Sequence, residues 1–119
     1  MPAAGDDRVF VYEQDKPRLR GGDDVLDLIG EAGYRGATWV AVPVGGLPED
    51  FFSLRTGVAG EIVQKFANYR LGLAVVGDVA DRVAASESFA AWVREADRGR
   101  QVWFVADLDE LRTRLGRDT

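Results

Sequence analysis

The sequence predicts a single α/β domain in which about four mainly parallel strands alternate with four helices. Three observations carry that prediction. Short runs rich in valine, leucine and aromatic residues fall at residues 8–13, 38–44, 71–78 and 101–106. The runs 38–44 and 71–78 are apolar almost without a break, as strands covered on both faces are. The stretches between the runs carry apolar residues three and four apart, the period of a helix with one buried face. Strand and helix patterns that alternate in this way imply a parallel sheet joined by right-handed crossovers.

In chain order, residues 8–13 (Arg-Val-Phe-Val-Tyr-Glu) form the first strand, β-branched and aromatic. Residues 1–7 are expected to be a loose tail, with the domain proper at 8–119. The loop 14–22 holds Lys16, Arg18 and Arg20 and ends in Gly-Gly. Asp23 or Asp24 then caps a helix whose buried stripe is Val25, Leu28, Ile29 and Ala32, ending near Gly33 or Gly36. The second strand, 38–44, places Pro43 at its end, where a missing N–H costs least. A turn-rich connection leads to a central helix from about Leu54 to Tyr69. Its apolar stripe is Leu54, Val58, Ile62, Phe66 and Tyr69, with Glu61 and Lys65 as an i,i+4 ion pair on the other side.

A second stripe on that helix, Thr56, Gly60, Val63 and Ala67, has only slim side chains, which would allow close backbone approach. The third strand, 71–78, ends at Gly77-Asp78. Past a short loop, Ser86 or Ser88 caps a helix with Phe89, Trp92, Val93 and Ala96 at i, i+3, i+4, i+7, stopped by Gly99. The fourth strand, 101–106, leads to a last helix. Asp107 caps it with Glu110 as the capping-box partner, and Leu108, Leu111 and Leu115 face inward.

Composition bounds the chemistry. A chain of 119 residues, 46% hydrophobic and 29% charged, is one ordinary globular domain that buries roughly two thirds of its unfolded surface. Its net charge of −5 disfavours sequence-independent binding to nucleic acid or to an anionic membrane. Cysteine and histidine are both absent. That removes Ser-His-Asp and Cys-His catalysis, thiolate chemistry and the usual zinc sites. The first seven residues carry no basic and apolar leader pattern, and no run approaches the roughly 18 apolar residues of a membrane span. A cytoplasmic location is expected.

From Asp23 to Leu115 the chain resembles a family of small bacterial proteins catalogued only as a domain of unknown function. The residues that carry this are Phe51-Phe52-Ser53-Leu54-Arg55-Thr56-Gly57 with Ala59-Gly60-Glu61, Gln64-Lys65-Phe66 with Asn68-Tyr69-Arg70, and Leu73-Ala74-Val75-Val76-Gly77-Asp78. More distantly, the order of elements resembles the sulfate-transporter and anti-sigma-factor-antagonist (STAS) fold. Gly45-Gly46-Leu47, Phe51-Phe52, Ser53 with Thr56-Gly57, and the run from Leu73 to Gly77 fill the corresponding places. The Ser-Leu-Arg-Thr-Gly turn is one residue longer than in that fold, and the N-terminal part shows one strand in place of two. The resemblance implies a non-catalytic regulatory or protein-interaction role.

The ligand crevice of an open α/β sheet lies beyond the carboxyl ends of its strands. That edge is expected to gather Glu13, Gly45-Gly46, Asp78 and Asp107, with Ser53, Arg55 and Thr56 at the start of the central helix. Ser53 equally fits a plain N-cap, and Arg55 an ordinary surface ion pair. The isolated acids form no paired-carboxylate motif, and Gly57 and Gly60 form neither Gly-x-Gly-x-x-Gly nor a P-loop, so neither metal nor cofactor is expected. Two function classes stay open. One is an interaction module using Phe51, Phe52, Ser53, Arg55, Thr56, Gly57, Gly60 and Asp78, where an uncovered phenylalanine beside a slim helix face binds a protein partner or a second copy of the chain. The other is a small-molecule, nucleotide or anion site at the carboxyl edge of the sheet, enzymatic only if Asp, Arg and Thr suffice.

Overall fold

The computed structural model describes residues 8–117; the expected tail at 1–7 lies outside the described residues. Four strands, β1 (Val9–Val11), β2 (Trp39–Pro43), β3 (Gly72–Val76) and β4 (Val102–Val105), form one sheet in the order β1-β2-β3-β4. Every pair is parallel, in a register that sets Trp39 beside Gly72 and Ala74 beside Trp103. The helices are α1 (Gly22–Tyr34), α2 (Val58–Asn68), α3 (Ala80–Ala85), α4 (Glu87–Arg98) and α5 (Leu108–Arg117). The short α3 occupies what the sequence leaves as a loop. Asp78 starts it by accepting the Ala80 N–H at 2.8 Å.

Because each crossover steps one strand in the same direction with the same hand, α1, α2 and the α3–α4 pair are driven onto one face of the sheet. The core follows. Val40, Val42, Leu73 and Val75 point to the face packed by Val25, Leu28 and Ile29 of α1, Ile62 and Phe66 of α2, and Phe89 of α4. Trp39, Ala41, Ala74, Trp103 and Val105 point to the other face, where Leu111 and Leu115 of α5 meet them. Strand residues alternate between the two clusters, and β2 and β3 are buried on both sides, as their unbroken apolar runs require.

One helix covers the second face because two tryptophans do the rest. Beneath the two indoles β3 presents only Gly72 and Ala74, so Trp39 and Trp103 reach across it and stack with ring centroids 4.1 Å apart. The Trp103 N–H donates to the Gly99 carbonyl at 2.7 Å, and the Arg114 guanidinium of α5 lies 4.0 Å over the Trp103 ring while pairing with Asp97. Such contacts contribute roughly 0.5–2 kcal/mol each beyond the buried area.

The central helix is shorter than its apolar spacing predicts. It begins at Val58 because Gly57 before it has φ 80°, a left-handed backbone that ends the preceding 3-10 turn. Its buried residues are accordingly Ala59, Ile62 and Phe66, with Leu54 and Val58 half-buried, and Tyr69 is 59% exposed. The helix closes in a Schellman turn, in which the Leu71 N–H donates to the Phe66 carbonyl and the Arg70 N–H to that of Ala67. Glycine normally holds the left-handed position of that turn, but here it is Arg70, with φ 59°. The cost is about 1 kcal/mol. The Glu61–Lys65 pair forms at 3.9 Å.

A Cβ on Gly72 would sit 2.5–2.6 Å from the Trp39 indole. Gly72→Ala is therefore expected to unseat the stack and cost about 1–3 kcal/mol, the usual range for overpacking a core. Denaturant unfolding together with the near-ultraviolet circular dichroism of the stacked indoles checks this. An unchanged midpoint and spectrum would disprove the dependence of the second face on Gly72.

Candidate functional site

The sequence-predicted site residues do not form one surface. Residues 44–57 coil as three successive 3-10 turns, Val44–Gly46, Glu49–Phe52 and Leu54–Thr56. That coiling lets two adjacent phenylalanines both turn inward, contrary to the expectation that one is left uncovered. Phe51 is fully buried and Phe52 is 7% exposed. Phe51 packs on Trp92 at 5.6 Å and Phe52 on Phe89 at 5.8 Å, within an aromatic cluster completed by Phe104. Arg82 closes the cluster from outside, its guanidinium 4.2 Å over the Phe52 ring and 3.0 Å from the Glu49 carboxylate. Arg18 adds a second contact to Glu49 at 3.8 Å, and Arg20 pairs with Asp24, so two of the three cations of the 14–22 loop hold the fold together.

The central helix takes its N-cap at Gly57, and the side-chain oxygen at its start comes from Thr56 in place of Ser53. The Thr56 hydroxyl donates toward the carbonyls of Asp50 (2.9 Å) and Ser53 (2.8 Å) and accepts the Val58 N–H at 3.2 Å. Ser53 and Arg55 are exposed. Gly57 is required by its positive φ, whereas a Cβ on Gly60 would meet nothing within 4 Å, so Gly60 is not a site of close backbone approach, while Val63 of the same stripe packs against the core. Asp78 is spent on capping α3.

The carboxyl edge of the sheet does hold a crevice, on the α5 side. It measures about 610 Å³ and is floored by Val11, Ala41 and Val76 toward the ends of β1, β2 and β3, with Pro43 and Leu108 beside them. Glu13 and Gln14 after β1, Gly77 after β3, and Asp107, Asp109 and Arg112 around the start of α5 supply its polar rim. Of the strand-end residues expected there, Glu13 and Asp107 line it, and Gly45, Gly46 and Asp78 do not. Gly77 has φ 137°, and a Cβ would come within 2.9 Å of the Val44 side chain, which is why the Val-Val run must end in glycine.

Asp107 accepts the Glu110 N–H at 2.8 Å while Glu110 accepts the Ala106 N–H at 2.7 Å, the capping box expected from the sequence. Glu13 and Asp109 are thus the rim carboxylates outside that box. Tyr12, on the same rim, donates to the Pro17 carbonyl at 2.6 Å. Burial, and then the Asp24 carboxylate, raise its phenol above the ordinary value, so it stays a neutral donor. Among the described residues, no three of Asp, Glu, His or Cys come close enough to hold a metal ion.

A family model described as "Domain of unknown function (DUF4180)" matches residues 4–115. The chain belongs to that family. The match spans all four strands and both ends of the sheet. No curated protein and no solved structure matches the chain. No helix among the described residues of this DUF4180 domain is long and apolar enough to cross a membrane.

The crevice was legible only in part. The strand-end rule finds Glu13 and Asp107, but its floor depends on which strand positions face α5, and Arg112 comes from the second turn of that helix. Two substitutions test the corrected account of the α2 start. Thr56→Ala is expected to lower stability by about 1 kcal/mol through loss of the cap. Gly60→Ala is expected to raise it by about 0.5–1 kcal/mol. Thermal melts of both variants read the two signs, and the opposite sign for either would overturn it.

Proposed function

We propose that this DUF4180 domain is a non-catalytic, small-molecule-binding regulatory module whose ligand occupies the crevice at the carboxyl ends of the strands. The observation that carries the reading is the crevice itself. At about 610 Å³ it falls within the roughly 300–1,000 Å³ of small-molecule sites, and it combines an apolar floor with a few convergent polar groups. Its position is where parallel sheets bind ligands in general. Among the described residues the rim sets Glu13 and Asp109 against one cation, Arg112, which favours a ligand with an apolar body and a positively charged or zwitterionic end. The absence of histidine and cysteine from the sequence supports binding over catalysis. The resemblance of residues 53–57 and 73–77 to the STAS fold supports placing the domain among bacterial, cytoplasmic regulators.

Filling the floor tests this. Thermal-shift screening against small amines, amino acids and nucleosides is expected to yield stabilising compounds, and Val76→Phe is expected to abolish their effect while leaving the ligand-free melt nearly unchanged. A panel without any stabiliser, or stabilisation indifferent to Val76→Phe, would sink the proposal.

A second reading, self-association, is favoured by a different surface from the one expected. Leu26 of α1, 40% exposed, and Tyr69 at the end of α2, 59% exposed, line a groove with Gly30 and Gly33, and Tyr34 at the end of α1 is 92% exposed. Large apolar groups gathered beside a smooth helix face mark interfaces. A Cβ on Gly30 or Gly33 would meet nothing within 4 Å, so the α1 backbone is open to a like helix and the proposed partner is a second copy of the chain. Light scattering is expected to show a concentration-dependent dimer that Gly30→Arg abolishes. A monomer at every concentration would refute it.

A further inference from the structure

The opposite end of the sheet carries a second feature, independent of the carboxyl-edge crevice and sharing no residue with it. The four residues that immediately precede the strands, Arg8, Thr38, Leu71 and Gln101, line one pocket of about 360 Å³ together with Arg70, Arg100, Trp39, Gly72 and Leu115. Gln101 donates from its side-chain amide to the Leu71 carbonyl at 2.8 Å and so ties the starts of β3 and β4 together. Three arginines meet there in a chain whose net charge is −5, and no carboxylate is among the described residues that line the pocket.

Two details separate this group from a chance gathering of surface cations. The Arg8 Nε is buried and has no hydrogen-bond partner among the described residues, although a buried donor normally finds one. Arg70 holds a left-handed backbone, φ 59°, at the end of α2, in a turn position that glycine fills without strain. Strain of that kind persists where the surroundings fix it and gathers at ligand sites. Here it holds Arg70 among the residues that line the pocket with Arg8.

The geometry points to an anion site in which Arg8 and Arg70, with Arg100 at its side, bind the phosphate group of a small phosphorylated molecule. Guanidinium forks match the oxygens of a phosphate in pairs, and charge-assisted bonds of this type are the strong ones. The pocket lies at the lower end of the roughly 300–1,000 Å³ range of small-molecule sites, which suits a phosphomonoester on a small body. Trp39 lines the pocket and stacks on Trp103, so binding has a built-in optical reporter.

Calorimetry and tryptophan fluorescence with glycerol 2-phosphate, inorganic phosphate and acetate, at low salt, test the inference. Saturable binding of the two phosphates is expected, weakening as salt rises, with acetate inert. A tighter monoester assigns the site to an organic phosphate, and equal affinities assign it to the free ion. Arg8→Gln is expected to weaken binding at least about tenfold, the effect of one charge-assisted hydrogen bond. Arg70→Gly is expected to weaken binding similarly while raising the melting temperature of the ligand-free protein, a split that a merely structural arginine would not give. Arg94→Ala, on the exposed side of α4, serves as the control that leaves binding unchanged. No saturation by either phosphate, an equal response to acetate, or unaltered binding in Arg70→Gly would overturn the site.

Discussion

The stack of Trp39 on Trp103 across β3 is the contact on which the second face of the sheet depends. A parallel sheet must be covered on both faces, yet the chain sends all three of its helical connections to one side and has only the ten residues of α5 left for the other. Two indoles lying flat over Gly72 and Ala74 provide the missing layer between strand and helix. They succeed only because β3 offers no side chain larger than a methyl group beneath them. Arg114 then fixes α5 to the outer indole and to Asp97, joining the last helix to the end of α4.

That economy of cover shapes both candidate sites. Leu111 and Leu115 of α5 sit over the tryptophans, so the ends of β1, β2 and β3 are left as the floor of a crevice beside the first turns of the helix. At the other edge the starts of all four strands come together around Trp39, and the connections entering them bring Arg8, Arg70 and Arg100 with them. The two pockets are thus separated by the tryptophan layer and draw on different chemistry. One rim is mainly acidic, and the other is built of arginine.

The aromatic cluster on the three-helix face has a comparable logic. Phe51, Phe52, Phe89, Trp92 and Phe104 meet at 5.2–5.9 Å, edge to face except for the tilted Phe51–Trp92 pair, which favours their quadrupoles and fills the gap between the 3-10 turns, α4 and β4. Glu49, held by Arg18 and Arg82, keeps the irregular segment seated over them. Rigidity in this segment comes from ring packing and a polar clasp, in place of helical hydrogen bonds. A sequence pattern has no signature for that arrangement, since successive 3-10 turns present neighbouring residues to the same side without any fixed period.

By itself the sequence determined what local chemistry determines. The unbroken apolar runs of β2 and β3, the stripe Val25, Leu28, Ile29 and Ala32, the Ser86 cap and the Asp107–Glu110 capping box are each set by residues within a few positions of one another, and each forms as read. The tertiary structure alone decided where contacts between distant segments fall. Phe51 and Phe52 are inside because α4 supplies rings to meet them. The central helix starts late because Gly57 turns left-handed, and Tyr69 faces outward because Arg70 does the same. The pairing of Trp39 with Trp103 and the gathering of Arg8, Arg70 and Arg100 join positions on different strands and connections, and only the strand order and register bring them together. Periodicity reports which side of an element is apolar, whereas a site is made by which elements meet, and that is fixed by the packing of the whole sheet.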